Sequence, residues 1–239
     1  MNPRPLIFGH RGDSAHATEN TLQAIRMALD KGADGVEVDA WRCGSGEIVI
    51  FHDHHLKRLT GQEGDIRKMP YSEISQFPLP CGEKIPLLEE VLECMGPHHW
   101  VNVELKGGKF PHAHLEKEVY LQLKGRNMLQ RSIISSFHPL SLFRLGRLHP
   151  RPLIGLIFKG KSFLPLRKRW AAPFLSLTHL HGAVSELNPR LMERARRRNQ
   201  KVIAWTVNNI HDLETCLKLG VHGMISDDPG WLITELERM

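Results

Sequence analysis

The chain is poor in cysteine and tyrosine, with four and two among its 239 residues. Cys43, Cys81, Cys94 and Cys216 are widely scattered and form no Cys-x-x-Cys pair. That spacing argues against a zinc site or a disulfide frame and for free thiols in a reducing compartment. No apolar run approaches the roughly 20 residues needed to span a bilayer. The start, Met1-Asn2-Pro3-Arg4-Pro5, leads into a strand-like run with no room for the apolar stretch of a signal peptide. A cytoplasmic location without stable membrane insertion is therefore expected. No internal repeat is visible. No aromatic platform or base-reading motif accompanies the positive charge, so no nucleic acid partner is expected.

The net charge is +6, with dense basic pieces at 159–161, 167–169, Arg194 and 196–198. Such runs are usually a solvated helix face. The functional alternative is attraction to anionic substrates or a phospholipid surface.

The hydrophobic pattern alternates between strand-like and helix-like pieces. Leu6-Ile7-Phe8 ends in Gly9-His10-Arg11-Gly12, and the stripe Leu22, Ile25, Met27, Ala28, Leu29 predicts a helix stopping near Lys31-Gly32. Strands follow at 36–41 and 47–51. Residues 54–86 break the pattern with Gly, Pro and charge, leaving a short helical turn at 71–77. A helix is expected from Pro86 to Leu92. Strands at 100–105, 132–136, 153–158, 174–177, 202–207 and 223–226 then alternate with helices at 114–123, 140–148, 189–198, 211–219 and 231–236. An irregular basic and aromatic stretch runs to Pro173. About eight βα units in this length predict one α/β domain over 1–239, a closed (β/α)8 TIM-type barrel with a small insertion after strand two, at about 54–86. A doubly wound open sheet is the alternative.

The 34–53 stretch carries the chemistry. In a strand, Val36, Val38 and Ala40 point to one face and Glu37, Asp39 and Trp41 to the other. Two like charges on one buried face need a cation to join them, whereas a solvated edge strand would need none. The other strand ends decide between these readings, because a barrel of this kind gathers its functional groups there. They offer His10-Arg11, His52-Asp53, Glu104 with Lys106, Ser136-Phe137, Trp205 and Ser226-Asp227. Glu37, Asp39 and Glu104 are hard oxygen ligands suited to Mg²⁺ or Ca²⁺. Arg11 and Lys106 can offset the charge of a phosphodiester. His10 and His52 titrate near neutrality, so one can take the nucleophile's proton while the other protonates the leaving alkoxide. Asp53 could orient a histidine or cap the loop.

His10-Arg11-Gly12, Glu19-Asn20-Thr21, Glu37-x-Asp39, His52-Asp53, Glu104-x-Lys106, Ser136-Phe137, Trp205-Thr206-Val207 and Asp227-x-Pro229 resemble, in order, the motif series of the glycerophosphodiester phosphodiesterase family. The resemblance implies metal-dependent hydrolysis of a small-molecule glycerophosphodiester to glycerol 3-phosphate and an alcohol. It implies a divalent metal on Glu37, Asp39 and Glu104, His10 and His52 as the acid–base pair, Arg11 and Lys106 on phosphate, and Trp205 lining the pocket. Analogy with related barrel phospholipases casts His10 as base and His52 as acid. Thr18, the Cys43-to-Gly46 turn and Ser226 depart from the usual pattern, which bears on loop shape and substrate preference. Glu19 and Asn20 could serve His10 or cap the following helix. The alternatives are a lysophospholipase D-like or phospholipase C-like phosphodiesterase at a membrane surface, suggested by the stretch 158–174, and a barrel that binds phospho-metabolites without turning them over.

Overall fold

The computed structural model describes residues 4–107, 114–160 and 175–239. In chain order the strands are β1 (Leu6–His10), β2 (Gly35–Arg42), β3 (Ile48–Ile50), β4 (Trp100–Leu105), β5 (Ser132–Ser136), β6 (Leu153–Phe158), β7 (His179–Ala183), β8 (Lys201–Trp205) and β9 (Gly223–Ser226). β2 pairs in parallel with β1 and β4, and each later strand pairs with the next until β9 returns to β1. The sheet is therefore a closed eight-stranded parallel barrel, with β3 an antiparallel appendage on the outer half of β2. No open-sheet edge remains among the eight.

Closure follows from the strands' composition. Their residues are buried almost end to end, as a sheet covered on both faces requires. Outside, α1 (Leu22–Asp30), α4 (Leu88–Glu93), α5 (Leu115–Gly125), α6 (Pro139–Leu145), α7 (Pro189–Arg197), α8 (Ile210–Leu219) and α9 (Pro229–Arg238) cover the sheet. The large core holds Ile25, Val38, Val103, Ile134, Leu156, Val202 and Met224 between these layers. Inside, Phe8, Ile133, Ile203 and Ile225 plug the lower barrel. Burying each such side chain contributes about 1.5–3 kcal/mol, so the barrel is a packed solid rather than a pore.

The 54–86 excursion carries two single-turn helices, α2 (Lys57–Thr60) and α3 (Tyr71–Ile74). Its Leu56, Ile66, Ile74, Leu79 and Ile85 pack on Trp41, Val49 and Phe51 as a separate small cluster. It thus sits over the β2–β3 side of the barrel mouth.

One strand lies elsewhere than expected. Leu175 to Thr178 is irregular, and the strand is His179-Leu180-His181-Gly182-Ala183, buried throughout. The strand expected at 174–177 thus lies further along the chain, where parallel ladders on both sides hold His179 to Ala183 despite a glycine that weakens strands. Phe174 and the basic run 167–169 lie outside the described residues, as does nearly all of the 158–174 stretch. The basic run on α7 is a solvated face, where Arg196 and Arg197 both pair with Glu193 while Leu191 and Ala195 face the core. No helix among the described residues is long and apolar enough to cross a membrane.

Candidate active site

Register sets the site. Glu37 lies beside His10 on β1, and Asp39 lies beside Glu104 on β4. Paired residues in a parallel ladder point to the same face, so both strands aim their carboxylates into the barrel mouth. Oxygens of Glu37, Asp39 and Glu104 fall within 4.8 Å of one another. Burial, then the charge of Asp39, pushes the Glu37 carboxyl up to about 8, and burial also raises Glu104. Burial also works against ionised Asp39, but Lys106 and Arg11 overcome it and hold that group low. Ionising all three carboxyls would put more negative charge there than Arg11 and Lys106 balance, so keeping them all charged needs a further cation. A dication fits this all-oxygen set, and these residues could hold one.

Asp39 is the most constrained member. Asn20 Nδ2 donates to its Oδ2 at 2.8 Å, and the Asp39 backbone N–H donates to Asn20 Oδ1 at 3.2 Å. Lys106 Nζ lies 2.8 Å from Asp39 Oδ1 and 2.6 Å from Glu104 Oε1. Arg11 Nε lies 3.1 Å from Asp39 Oδ2, close enough for an ion pair but not aligned as a hydrogen bond. Arg11 itself has φ 56°, followed by Gly12 at φ 84°. Successive left-handed residues turn the chain so that the Arg11 N–H donates to Glu37 Oε2 at 3.2 Å. A side chain at 12 would collide with the α1 backbone at Ala24.

Each imidazole is anchored through Nδ1 by a carboxylate, leaving Nε2 for chemistry. His10 Nδ1 is 2.5 Å from Asp227 Oδ1, and its Nε2 is 4.0 Å from Glu37 Oε2. His52 Nδ1 is 2.7 Å from Asp53 Oδ1. The two environments differ in sign. Burial opposes a charged His10, but the Asp227 bond and the Glu37 charge prevail and raise its pKa. Burial and then Lys106 lower that of His52.

Below the carboxylates lies a cavity of about 140 Å³ lined by His10, Arg11, Glu37, His52, Glu104, Lys106 and Trp205, with Asn102 and His181 beneath. All eight expected site residues thus lie together, Asp39 behind the cavity wall and the other seven on it. Trp205 stands edge-on to Phe137, with ring centroids 6.1 Å apart. His181 and His179 are both pushed from 6.5 to about 3 by burial and are neutral.

The sequence offered Asp53 as an orienter of a histidine, but left the roles of Glu19, Asn20 and Asp227 open and gave none to Arg58. Thr21, not Glu19 or Asn20, caps α1, its Oγ1 accepting from Ala24 N at 3.1 Å. Asn20 is left to hold Asp39. Asp53 orients His52 and accepts from Arg58 Nε at 2.5 Å, and Arg58 also donates to Glu19, which pairs with Arg11. Asp227 gathers Ser14, Asn208 and His10. The Asp227-x-Pro229 motif was the available signal for that residue, whereas Arg58 had none. A second cluster, Asp13, His16 and Asp228, could also hold a metal ion. There Lys31 Nζ already lies 2.5 Å from buried Asp13 Oδ2.

Residues 10–231 match the family model of the glycerophosphoryl diester phosphodiesterase family. The chain is 34% identical over 238 residues to a glycerophosphodiester phosphodiesterase of Caldanaerobacter subterraneus subsp. tengcongensis, covering 96% of this chain and 97% of that protein. It resembles an Oleispira antarctica phosphodiesterase solved with its product sn-glycerol-3-phosphate, with TM-score 0.85, 26% identity, and 98% and 97% of the two chains covered. A Thermotoga maritima glycerophosphodiester phosphodiesterase aligns with TM-score 0.83 and 25% identity, over 98% of this chain and 100% of that one.

Proposed function

The chain belongs to the glycerophosphoryl diester phosphodiesterase family, and from that premise we propose that it hydrolyses glycerophosphodiesters to glycerol 3-phosphate and an alcohol, using a divalent cation and two histidines. The observation that carries this reading is the convergence on one cavity mouth of three carboxylates within 4.8 Å and two carboxylate-anchored imidazoles. Glu37, Asp39 and Glu104 would hold Mg²⁺ or Ca²⁺, which when bound supplies Lewis-acid polarisation of a phosphoryl oxygen.

The chain's own groups do the rest. Arg11 and Lys106 bring positive charge to the phosphate, and Arg11 can present two N–H groups to its oxygens. Trp205 walls the pocket. The charge environments favour His52, whose pKa is lowered by burial and Lys106, as the group that accepts the nucleophile's proton. They favour His10, whose pKa is raised beside Asp227, as the donor to the leaving alkoxide. That is the reverse of the expectation drawn from related barrels. The whole of 1–239 acts as one barrel unit, with 54–86 contributing Arg58 to the mouth. The unpaired cysteines support a cytoplasmic setting.

The test is release of glycerol 3-phosphate from glycerophosphocholine, with and without EDTA and with Mg²⁺ or Ca²⁺ added back. Turnover that EDTA abolishes and a dication restores supports the reading, and turnover indifferent to EDTA overturns it. A long-chain lysophospholipid in parallel checks the membrane-surface alternative and should be the poorer substrate.

A further inference from the structure

Above the apolar plug of Phe8, Ile133 and Ile203, the barrel interior is mixed, with polar side chains set among Phe137, Ile157 and Ile225. Asn102 on β4 and His181 on β7 meet there, with Asn102 Nδ2 3.5 Å from His181 Nδ1. Each is about 1% exposed. Asn102 Oδ1 and His181 Nε2 are nonetheless buried without a hydrogen-bond partner, as is Trp205 Nε1 beside them. All three residues line the cavity that His10, Glu37 and Lys106 share. Its 140 Å³ exceeds what a single water needs. The fold makes room for this arrangement at Gly155, where a Cβ would come within 2.9 Å of His181 Nε2.

Buried polar groups left unmade are costly, and they become specificity when a ligand completes them. The unpaired set has a definite complement. If the Asn102 amide N–H donates to His181 Nδ1, the imidazole proton is on Nε2, leaving a free donor there and a free acceptor at Asn102 Oδ1. With the amide turned the other way, Nε2 is the free acceptor and the amide N–H the free donor. In either case the pair leaves one donor and one acceptor free. A hydroxyl is both, whereas a phosphate oxygen at neutral pH only accepts and an acyl chain does neither. Cationic Arg11 and Lys106 already suit the phosphate above.

We propose that Asn102 and His181 form a floor that binds the hydroxyls of the substrate's glycerol unit and thereby selects diesters with a polyhydroxylated alcohol. This rests on the phosphodiesterase reading and deepens it. The test compares glycerophosphocholine with bis(p-nitrophenyl) phosphate, a diester with no hydroxyl to read. In Asn102→Leu and in His181→Phe, the ratio of kcat/KM for the first substrate to that for the second should fall about tenfold or more. His181→Gln, which keeps a polar group, should recover part of the ratio. An unchanged ratio, including equal loss on both substrates, marks a merely structural pair and overturns the proposal. Wild-type inhibition decides independently, even if the variants fail to fold. Propyl phosphate should inhibit at least tenfold more weakly than glycerol 3-phosphate, and equal inhibition overturns the proposal. Wild-type protein that releases no glycerol 3-phosphate at all removes the phosphodiesterase reading and this floor with it. Turnover with an unchanged ratio removes the floor alone.

Discussion

Acid should weaken the barrel through β7. His179 is buried and its imidazole is held near 3, against 6.5 for the unfolded chain. The folded pKa is depressed, so stability is fully present above 6.5 and is lost as pH falls from there towards 3. Over that window the unfolded state binds a proton that the folded state refuses. Each pH unit below 6.5 then costs about 1.36 kcal/mol, so going from pH 7 to pH 5 removes about 2 kcal/mol. In a chain of this length that is about 4–8 °C in Tm. Urea unfolding followed by circular dichroism at pH 7 and pH 5 reads it directly. Carboxylates titrate too, so the comparison is with His179→Gln, which is neutral throughout and can still bond Thr178 Oγ1, now 2.8 Å from Nδ1. The variant should lose about 2 kcal/mol less than wild type between the two pH values. An identical pH dependence in both proteins would refute the reasoning.

Two further outcomes follow from the supporting contacts. Asn20→Ala removes both bonds to Asp39 and leaves a buried carboxylate under-satisfied, which costs about 1–3 kcal/mol. It should lower kcat/KM by about tenfold or more while circular dichroism is unchanged, and wild-type kinetics in this variant would show that Asn20 is idle. Asp227→Asn removes the anion that favours charged His10. The His10 pKa falls, and the alkaline limb of the kcat/KM profile should move to lower pH. A limb that stays put, or moves up, would exclude His10 as the proton donor.

The barrel was legible because its signals are periodic: alternating valines and carboxylates in β2, apolar stripes in the helices, and charged residues at strand ends. Those same strand ends placed His10, Glu37, Asp39, His52, Glu104, Lys106 and Trp205 at one mouth. What stayed hidden is non-local. The strand expected at 174–177 is set at His179–Ala183 only by its ladders with β6 and β8. Asn20 carries the signature of a helix cap, but Thr21 takes that role and frees Asn20 for Asp39. Arg58 is one basic residue in an irregular insertion. Its bridge between Glu19 and Asp53 exists only once that insertion packs back on Phe51 and Trp41.

Dication binding followed by calorimetry, on wild type and on Glu37→Gln, asks most directly whether carboxylates from β2 and β4 share one cation. Wild type should take up one Mg²⁺ or Ca²⁺ per chain. Glu37→Gln should take up none at that site and release no glycerol 3-phosphate, while unfolding at a temperature no lower than wild type, since the replaced carboxyl is buried beside Asp39. Undiminished ion binding by a folded Glu37→Gln, or undiminished turnover, would contradict the account.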